Sequence, residues 1–199
     1  MNFRKIQTPF LLSFLILLSS FGLAGYLILV NRTPSPQDET SAGDPQAPTG
    51  SAEKFAYLAS QTSNTCGLQA EGISSFGSIQ GSCCAPMDLH TYQEQVEALK
   101  TYAEILQIPP DPYDVSAEQA RELLTFKEEI ELTAPQQNTY QQAAELSEEG
   151  GPCCCQCWHW DAYEGLAKYL ITDLGWGAQQ VADLWDMSSA CGGAGHNHT

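Results

Sequence analysis

Apolar positions along this chain form one unbroken run, then a series of short, spaced stripes. Residues 9–30, PFLLSFLILLSSFGLAGYLILV, hold 22 consecutive positions without a charge. At about 1.5 Å per residue, a helix of that length spans roughly 30 Å, the thickness of a bilayer's hydrocarbon core. A cleaved signal peptide has a shorter apolar core of about 7–15 residues. Gly22 and Ala24 offer small residues for cleavage, but YLILV prolongs the run beyond them. The pattern predicts a retained membrane anchor within residues 1–30, with a cleaved signal as the alternative. Arg4 and Lys5 precede the run, and positive charge stays on the cytoplasmic side. A single-pass anchor with a cytoplasmic N-terminus and an extracytoplasmic domain is therefore expected.

Residues 31–51 are rich in Pro, Ser, Gly and Asp and contain no large apolar residue, the composition of a disordered tether. The remainder alternates helical stripes with breakers. Ser51 is placed to cap a short helix through Phe55, Tyr57 and Leu58. Over residues 88–107, Leu89, Tyr92, Val96, Leu99, Ala103 and Leu106 recur at spacings of three and four, one face of a helix. Pro109, Pro110 and Pro112 end it. Ser116 and Gln119 have capping-box spacing, with Ala120, Leu123, Leu124 and Ile130 following on one face. Pro135 suits the first turn of a helix running to about residue 148, before Gly150 and Gly151. Trp158, Ala162, Leu166, Leu170 and Leu174 form a four-residue ladder closed by Gly175, and a last helix covers about 177–189. Alternating strand patterns are nearly absent. The expected class is all-α, a small irregular bundle at residues 52–190, followed by a flexible Gly/His tail at 191–199.

Charge narrows the partners. After residue 30 the chain carries 6 basic and 24 acidic residues, a net of −18. Such a surface repels phosphate backbones and argues against nucleic acid. It is compatible with a metal ion or a cationic partner.

The chemistry lies in eight cysteines: Cys66, Cys83, Cys84, Cys153, Cys154, Cys155, Cys157 and Cys191. Cys83-Cys84 and Cys153-Cys154-Cys155-Gln156-Cys157 each stand before a predicted helix. Free N–H groups and the dipole at a helix N-terminus favour thiolate, the metal-binding form. Soft thiolates select Cu(I), Zn(II) or iron–sulfur clusters, and Cu(I) is favoured over Zn(II) here. The expected ligands are Cys83, Cys84, Cys153, Cys154, Cys155, Cys157 and His159. A shared tetrahedral site requires the two clusters to meet, with sulfurs such as those of Cys84 and Cys155 within about 5 Å, given metal–sulfur bonds of about 2.3 Å.

Other readings stay open. An even number of cysteines in an exported domain suits a disulfide framework, and Cys66–Cys191 is one conceivable bridge. Cys154-Cys155-Gln156-Cys157 is also a C-x-x-C before a helix, as in thiol–disulfide oxidoreductases, though without their strand–helix–strand context. His90, Met87 and Met187, and the His196-Asn197-His198 tail are further candidate soft or borderline ligands. Surface placement, core packing and a free terminus are their ordinary roles. Trp158, Trp160, Trp176 and Trp185 read as core aromatics, or as a wall excluding water from a thiolate site. No serine nucleophile motif, phosphate loop or zinc-protease helix motif is present, so nothing argues for a hydrolase.

Pro152-Cys153-Cys154-Cys155-Gln156-Cys157 resembles the signature of bacterial exported, membrane-attached proteins with a PCYCGC motif. Pro152, Cys153, Cys155 and Cys157 match it; Cys154 stands for Tyr and Gln156 for Gly. The lipidated Cys anchor common in that family has no counterpart here, nor has the Gly-His and further Cys that follow its motif, since Trp158-His159-Trp160 comes directly after. The resemblance implies metal binding and names no metal. Together these readings predict a membrane-anchored extracytoplasmic protein that sequesters Cu(I) or exchanges it with a donor or acceptor protein. A disulfide-stapled structural or interaction domain is the first alternative, and a thiol–disulfide oxidoreductase the second.

Overall fold

A computed structural model describes residues 43–63 and 67–192. The apolar run at 9–30, the first part of the linker, Cys66, His196 and His198 lie outside the described residues. Among the described residues no helix is long and apolar enough to cross a membrane.

Six helices are described: α1 (Ala52–Leu58), α2 (Leu89–Leu99), α3 (Ala117–Glu129), α4 (Ala134–Leu146), α5 (Trp158–Asp173) and α6 (Ala178–Ser188). Two three-residue strands that the sequence pattern did not suggest, β1 (Ser78–Gln80) and β2 (Asp114–Ser116), pair antiparallel with Ile79 opposite Val115. Their caps follow local chemistry. Ser51 Oγ accepts from Lys54 N at 3.1 Å, and Asp88 Oδ1 accepts from Thr91 N at 2.9 Å. Ser116 Oγ accepts from Gln119 N at 3.2 Å. The expected reciprocal bond is missing, because the Gln119 amide donates instead to the Leu106 and Gln107 carbonyls.

The α3–α5 pair forms the centre of the bundle. Leu123, Leu124, Leu166, Leu170, Trp158 and Trp185 are all 2% exposed or less within one apolar cluster. Gly165 lets the two helices approach: a Cβ there would lie 2.7 Å from Lys127 N and 3.0 Å from the Leu123 carbonyl carbon. A second, smaller cluster of Leu58, Tyr92, Val96, Tyr113 and Ala190 joins α1 and α2 to the segment following α6.

Two expectations change. The helix at 88–107 stops at Leu99, continues as a 3-10 turn over Lys100–Tyr102, and then bends through i→i+3 bonds from Ala103 N, Ile105 N and Ile108 N. Three residues per turn put Leu99, Tyr102, Ile105 and Ile108 on the core side and leave Leu106 82% exposed. Residues 43–51, expected to be disordered, are placed against the bundle: Gly50 N donates to Tyr92 Oη at 3.0 Å, Asp44 N to the Glu53 carbonyl at 3.2 Å, and Lys54 Nζ to the Pro45 carbonyl at 2.9 Å.

Candidate metal centre

Three stretches of chain converge at one end of α5. The Cys83-Cys84 stretch follows β1 and runs beside the segment after α6, with Cys83 N donating to the Ala190 carbonyl at 3.1 Å and Ala85 N to the Cys191 carbonyl at 2.9 Å. That segment is fixed from the other side, where Gln95 Nε2 (2.8 Å) and Tyr113 Oη (3.2 Å) both donate to the Ser189 carbonyl. Gly192 allows the close pass. Its φ is +104°, and a Cβ there would lie 2.8 Å from the Pro86 carbonyl oxygen, a conformation and a clearance that favour glycine. The third stretch is the α4–α5 loop, which carries Cys153, Cys154 and Cys155 and ends with Cys157 as the N-cap of α5.

Seven cysteines meet there. Their sulfurs fall into four groups within which every atom lies within 4.8 Å of the others: Cys83, Cys153, Cys155 and Cys157; Cys83, Cys84 and Cys191; Cys84, Cys154 and Cys155; and Cys153, Cys154 and Cys191. With all seven cysteines reduced, any of these groups could hold a metal ion. Cys84 and Cys155 sulfurs are 2.9 Å apart, inside the reach a shared site requires. Cys83 and Cys153 sulfurs are 3.8 Å apart. Cys153 is joined to Cys191 by a disulfide, and Cys83, Cys84, Cys154, Cys155 and Cys157 are free thiols. Cys191, assigned from sequence to the flexible tail, is thus 9% exposed and bonded within the cluster.

The surroundings are graded. Cys83, Cys153 and Cys157 are buried, whereas Cys84 and Cys154 face solvent. Trp160 packs over the cluster and covers Gly151, where a Cβ would meet the indole at 2.5 Å. Trp160 is therefore the tryptophan that stands beside the sulfurs. Trp158 and Trp185 belong to the core, and Trp176 packs at its edge beside Tyr102.

Proton affinities differ among the thiols. Cys157 is pushed down to about 6. The hydrogen bond it receives from Cys83 is the main cause and burial opposes it, while the Trp160 and His159 N–H groups at the start of α5 reinforce it. Cys83 is pushed up as the donor in that pair and by burial. Cys154 and Cys155 are raised, first by burial and then by their Cys84 neighbour. The expectation that both clusters sit on helix N-termini holds for Cys157 alone, since the cap of α2 is Asp88, four residues beyond Cys84.

The remaining candidates stand elsewhere. His159 belongs to none of the four groups. It is wholly buried, stacked on Tyr163 with ring centroids 4.0 Å apart, and neither ring nitrogen makes a well-formed hydrogen bond. Burial pushes its pKa down to about 3, so it packs as a neutral ring. His90 is exposed and contacts Glu94 at 3.3 Å. Met87 packs on the smaller apolar cluster and Met187 on the larger. Cys154 and Cys157, the ends of the C-x-x-C, share no group. No protein-family model matches the chain, and no curated protein and no solved structure matches it either.

Proposed function

We propose that this chain binds Cu(I) through its cysteine cluster, storing the ion or exchanging it with a partner protein outside the cytoplasm, where residues 9–30 tether it. The observation that carries the reading is the convergence of seven sulfurs from three separate stretches of chain into groups of metal-binding size. Three of the four groups offer three sulfurs. Structural zinc is almost always four-coordinate, so trigonal sulfur sites favour Cu(I) among the soft ions that thiolates select. Exposed Cys84 and Cys154 give a donor or acceptor protein its point of contact, and the buried sulfurs beneath them hold what is delivered. The uncharged run with Arg4 and Lys5 before it supports the location, and the similarity to PCYCGC-type exported proteins supports both location and metal.

The test is a titration of the reduced full chain in mild detergent with Cu(I), in competition with a chromogenic chelator. Tighter retention against the chelator than in a Cys153/Cys155/Cys157→Ser variant, which keeps only the Cys83–Cys84–Cys191 group complete, is the expected result. Equal retention by both proteins refutes the reading.

The Cys153–Cys191 disulfide favours one second reading, a disulfide-stapled domain in which the sulfurs serve stability alone. It predicts that the metal-free chain, isolated after oxidising export, presents no thiol to an alkylating reagent, as counted by mass.

A further inference from the structure

The four sulfur groups are related to one another by a simple rule: any two of them share one cysteine. Cys83 joins the Cys157-containing group to the one with Cys84 and Cys191. Cys155 joins that same first group to the one with Cys84 and Cys154, and Cys153 joins it to the one with Cys154 and Cys191. Among the three-sulfur groups, Cys84, Cys154 and Cys191 make the three remaining links. Four groups have six pairings, and six cysteines supply one link for each pairing. Cys157 alone belongs to a single group. This is the connectivity of a tetrahedron, with groups at the corners and bridging sulfurs along the edges.

We infer that the cluster is a tetranuclear Cu(I)–thiolate centre, with Cys83, Cys84, Cys153, Cys154, Cys155 and Cys191 each bridging two copper ions and Cys157 a terminal ligand on one. The inference rests on the Cu(I) reading above and adds nuclearity and connectivity to it. A thiolate sulfur that has bound one metal keeps lone pairs for a second, so six bridging sulfurs give four ions three bonds each. Two sulfurs on one metal, at bonds of about 2.3 Å, stand roughly 4 Å apart. The Cys83–Cys153 separation of 3.8 Å already meets this. The 2.9 Å contacts of Cys84 with Cys155 and of Cys154 with Cys191 must open by about 1 Å on loading. Each of these two pairs includes an exposed thiol, Cys84 or Cys154; the third pair that must part is Cys153 and Cys191, which are both buried and separate when their disulfide is reduced.

Loading moves protons and no electrons. Each cysteine thiol releases its proton to solvent as its sulfur bonds copper. The Cys153–Cys191 disulfide must first take up two electrons and two protons from a dithiol, which itself becomes a disulfide. Four Cu⁺ against six bridging thiolates leave the core at −2, and the Cys157 thiolate makes it −3. The Cys154 N–H pointing at the Cys191 sulfur at 3.3 Å and the N–H groups at the start of α5 face that charge. The corner formed by Cys84, Cys154 and Cys155 is the most exposed and the one holding Cys157 is the most buried, so copper enters and leaves at the first.

The test is native mass spectrometry of the full chain, reduced with a dithiol, freed of metal and titrated with Cu(I), with X-ray absorption on the loaded sample. Four ions per chain are expected, with metal-free and four-copper species coexisting at partial loading, and a short Cu–Cu vector beside Cu–S. Cys157→Ser, which removes a terminal sulfur from one ion only, weakens retention of that ion against a chelator, and serine at an N-cap preserves α5. Cys84→Ser, at an exposed position, falls below four and shows intermediate species. Saturation at a single ion without a Cu–Cu vector overturns the tetranuclear centre while leaving Cu(I) binding intact. Equal losses in the two variants overturn the bridging assignment. Failure to compete for Cu(I) at all removes the underlying reading as well.

Discussion

The Cys153–Cys191 disulfide and the proposed copper load draw on the same two sulfurs, so oxidation should set capacity. With the bridge closed, five thiols remain: Cys83, Cys84, Cys154, Cys155 and Cys157. The group of Cys153, Cys154 and Cys191 is left with one sulfur, and the group of Cys83, Cys84 and Cys191 with two. Only Cys83–Cys155–Cys157 and Cys84–Cys154–Cys155 still offer three. The oxidised chain is therefore predicted to hold two Cu(I) ions where the reduced chain holds four. Linkage gives the size of the coupled effect. Ligand bound only by the reduced form stabilises that form, and a tenfold change in the equilibrium of this two-electron couple is ~30 mV. Two additional ions make the disulfide's midpoint rise by ~60 mV for each tenfold increase in free Cu(I) above their dissociation constants. The assay is a dithiol redox titration at buffered free Cu(I), with Cys153 and Cys191 scored by alkylation and mass. A midpoint that ignores copper, or four ions bound by the oxidised chain, refutes the reasoning.

Other outcomes follow from the same geometry. Gly165→Ala drives a methyl group into the Leu123–Lys127 backbone; overpacking of about 1–3 kcal/mol or more exceeds the roughly 1 kcal/mol gained in helix propensity, so the urea midpoint falls with the slope unchanged. His159→Phe keeps the packing against Tyr163 and leaves copper stoichiometry unchanged, as measured by metal analysis. Because folding holds the His159 pKa near 3, below its unfolded value of about 6.5, its contribution is complete above about pH 6.5. It is lost as pH falls, at up to about 1.4 kcal/mol per unit, and His159→Phe flattens that part of the metal-free stability profile. Trp160→Ala uncovers the cluster and speeds Cu(I) removal by an added chelator in a stopped-flow trace.

Most helices were legible because they are locally encoded: Ser51 and Ser116 stand at caps, and apolar residues recur at helical spacing through α3, α5 and α6. The errors fall where distant residues decide. The stripe at 88–107 keeps helical period to Leu106, but a turn of period three, read from its i→i+3 bonds, is what places Ile105 and Ile108 inward. Cys191 reads as part of a tail because what fixes it is a backbone bond between Cys83 and Ala190, more than a hundred residues apart along the chain. His159 reads as a ligand because it is two residues from Cys157. Two residues of helix rotate a side chain by about 200°, which turns it away from the sulfurs and onto Tyr163. The disulfide could not be assigned from spacing, since eight cysteines allow about 105 pairings.

One consequence separates this centre from metal sites that fold their own domain. The sulfurs form a cluster distinct from the main core, and the core gathers around Leu123, Leu124, Leu166 and Leu170 with no sulfur ligand among its members. Burying a leucine contributes roughly 1.5–3 kcal/mol, so those four side chains supply on the order of 10 kcal/mol before conformational entropy is counted. Structural zinc domains lack such a core and unfold when stripped of metal. Here the metal-free reduced chain should keep its far-ultraviolet helical signal and a cooperative melt. Copper should raise the melting temperature in proportion to the logarithm of its free concentration. Loss of the helical signal on copper removal would mean that the sulfurs hold the bundle together. Retention means that the chain can give up its cargo at the exposed Cys84–Cys154 edge and remain folded to be filled again.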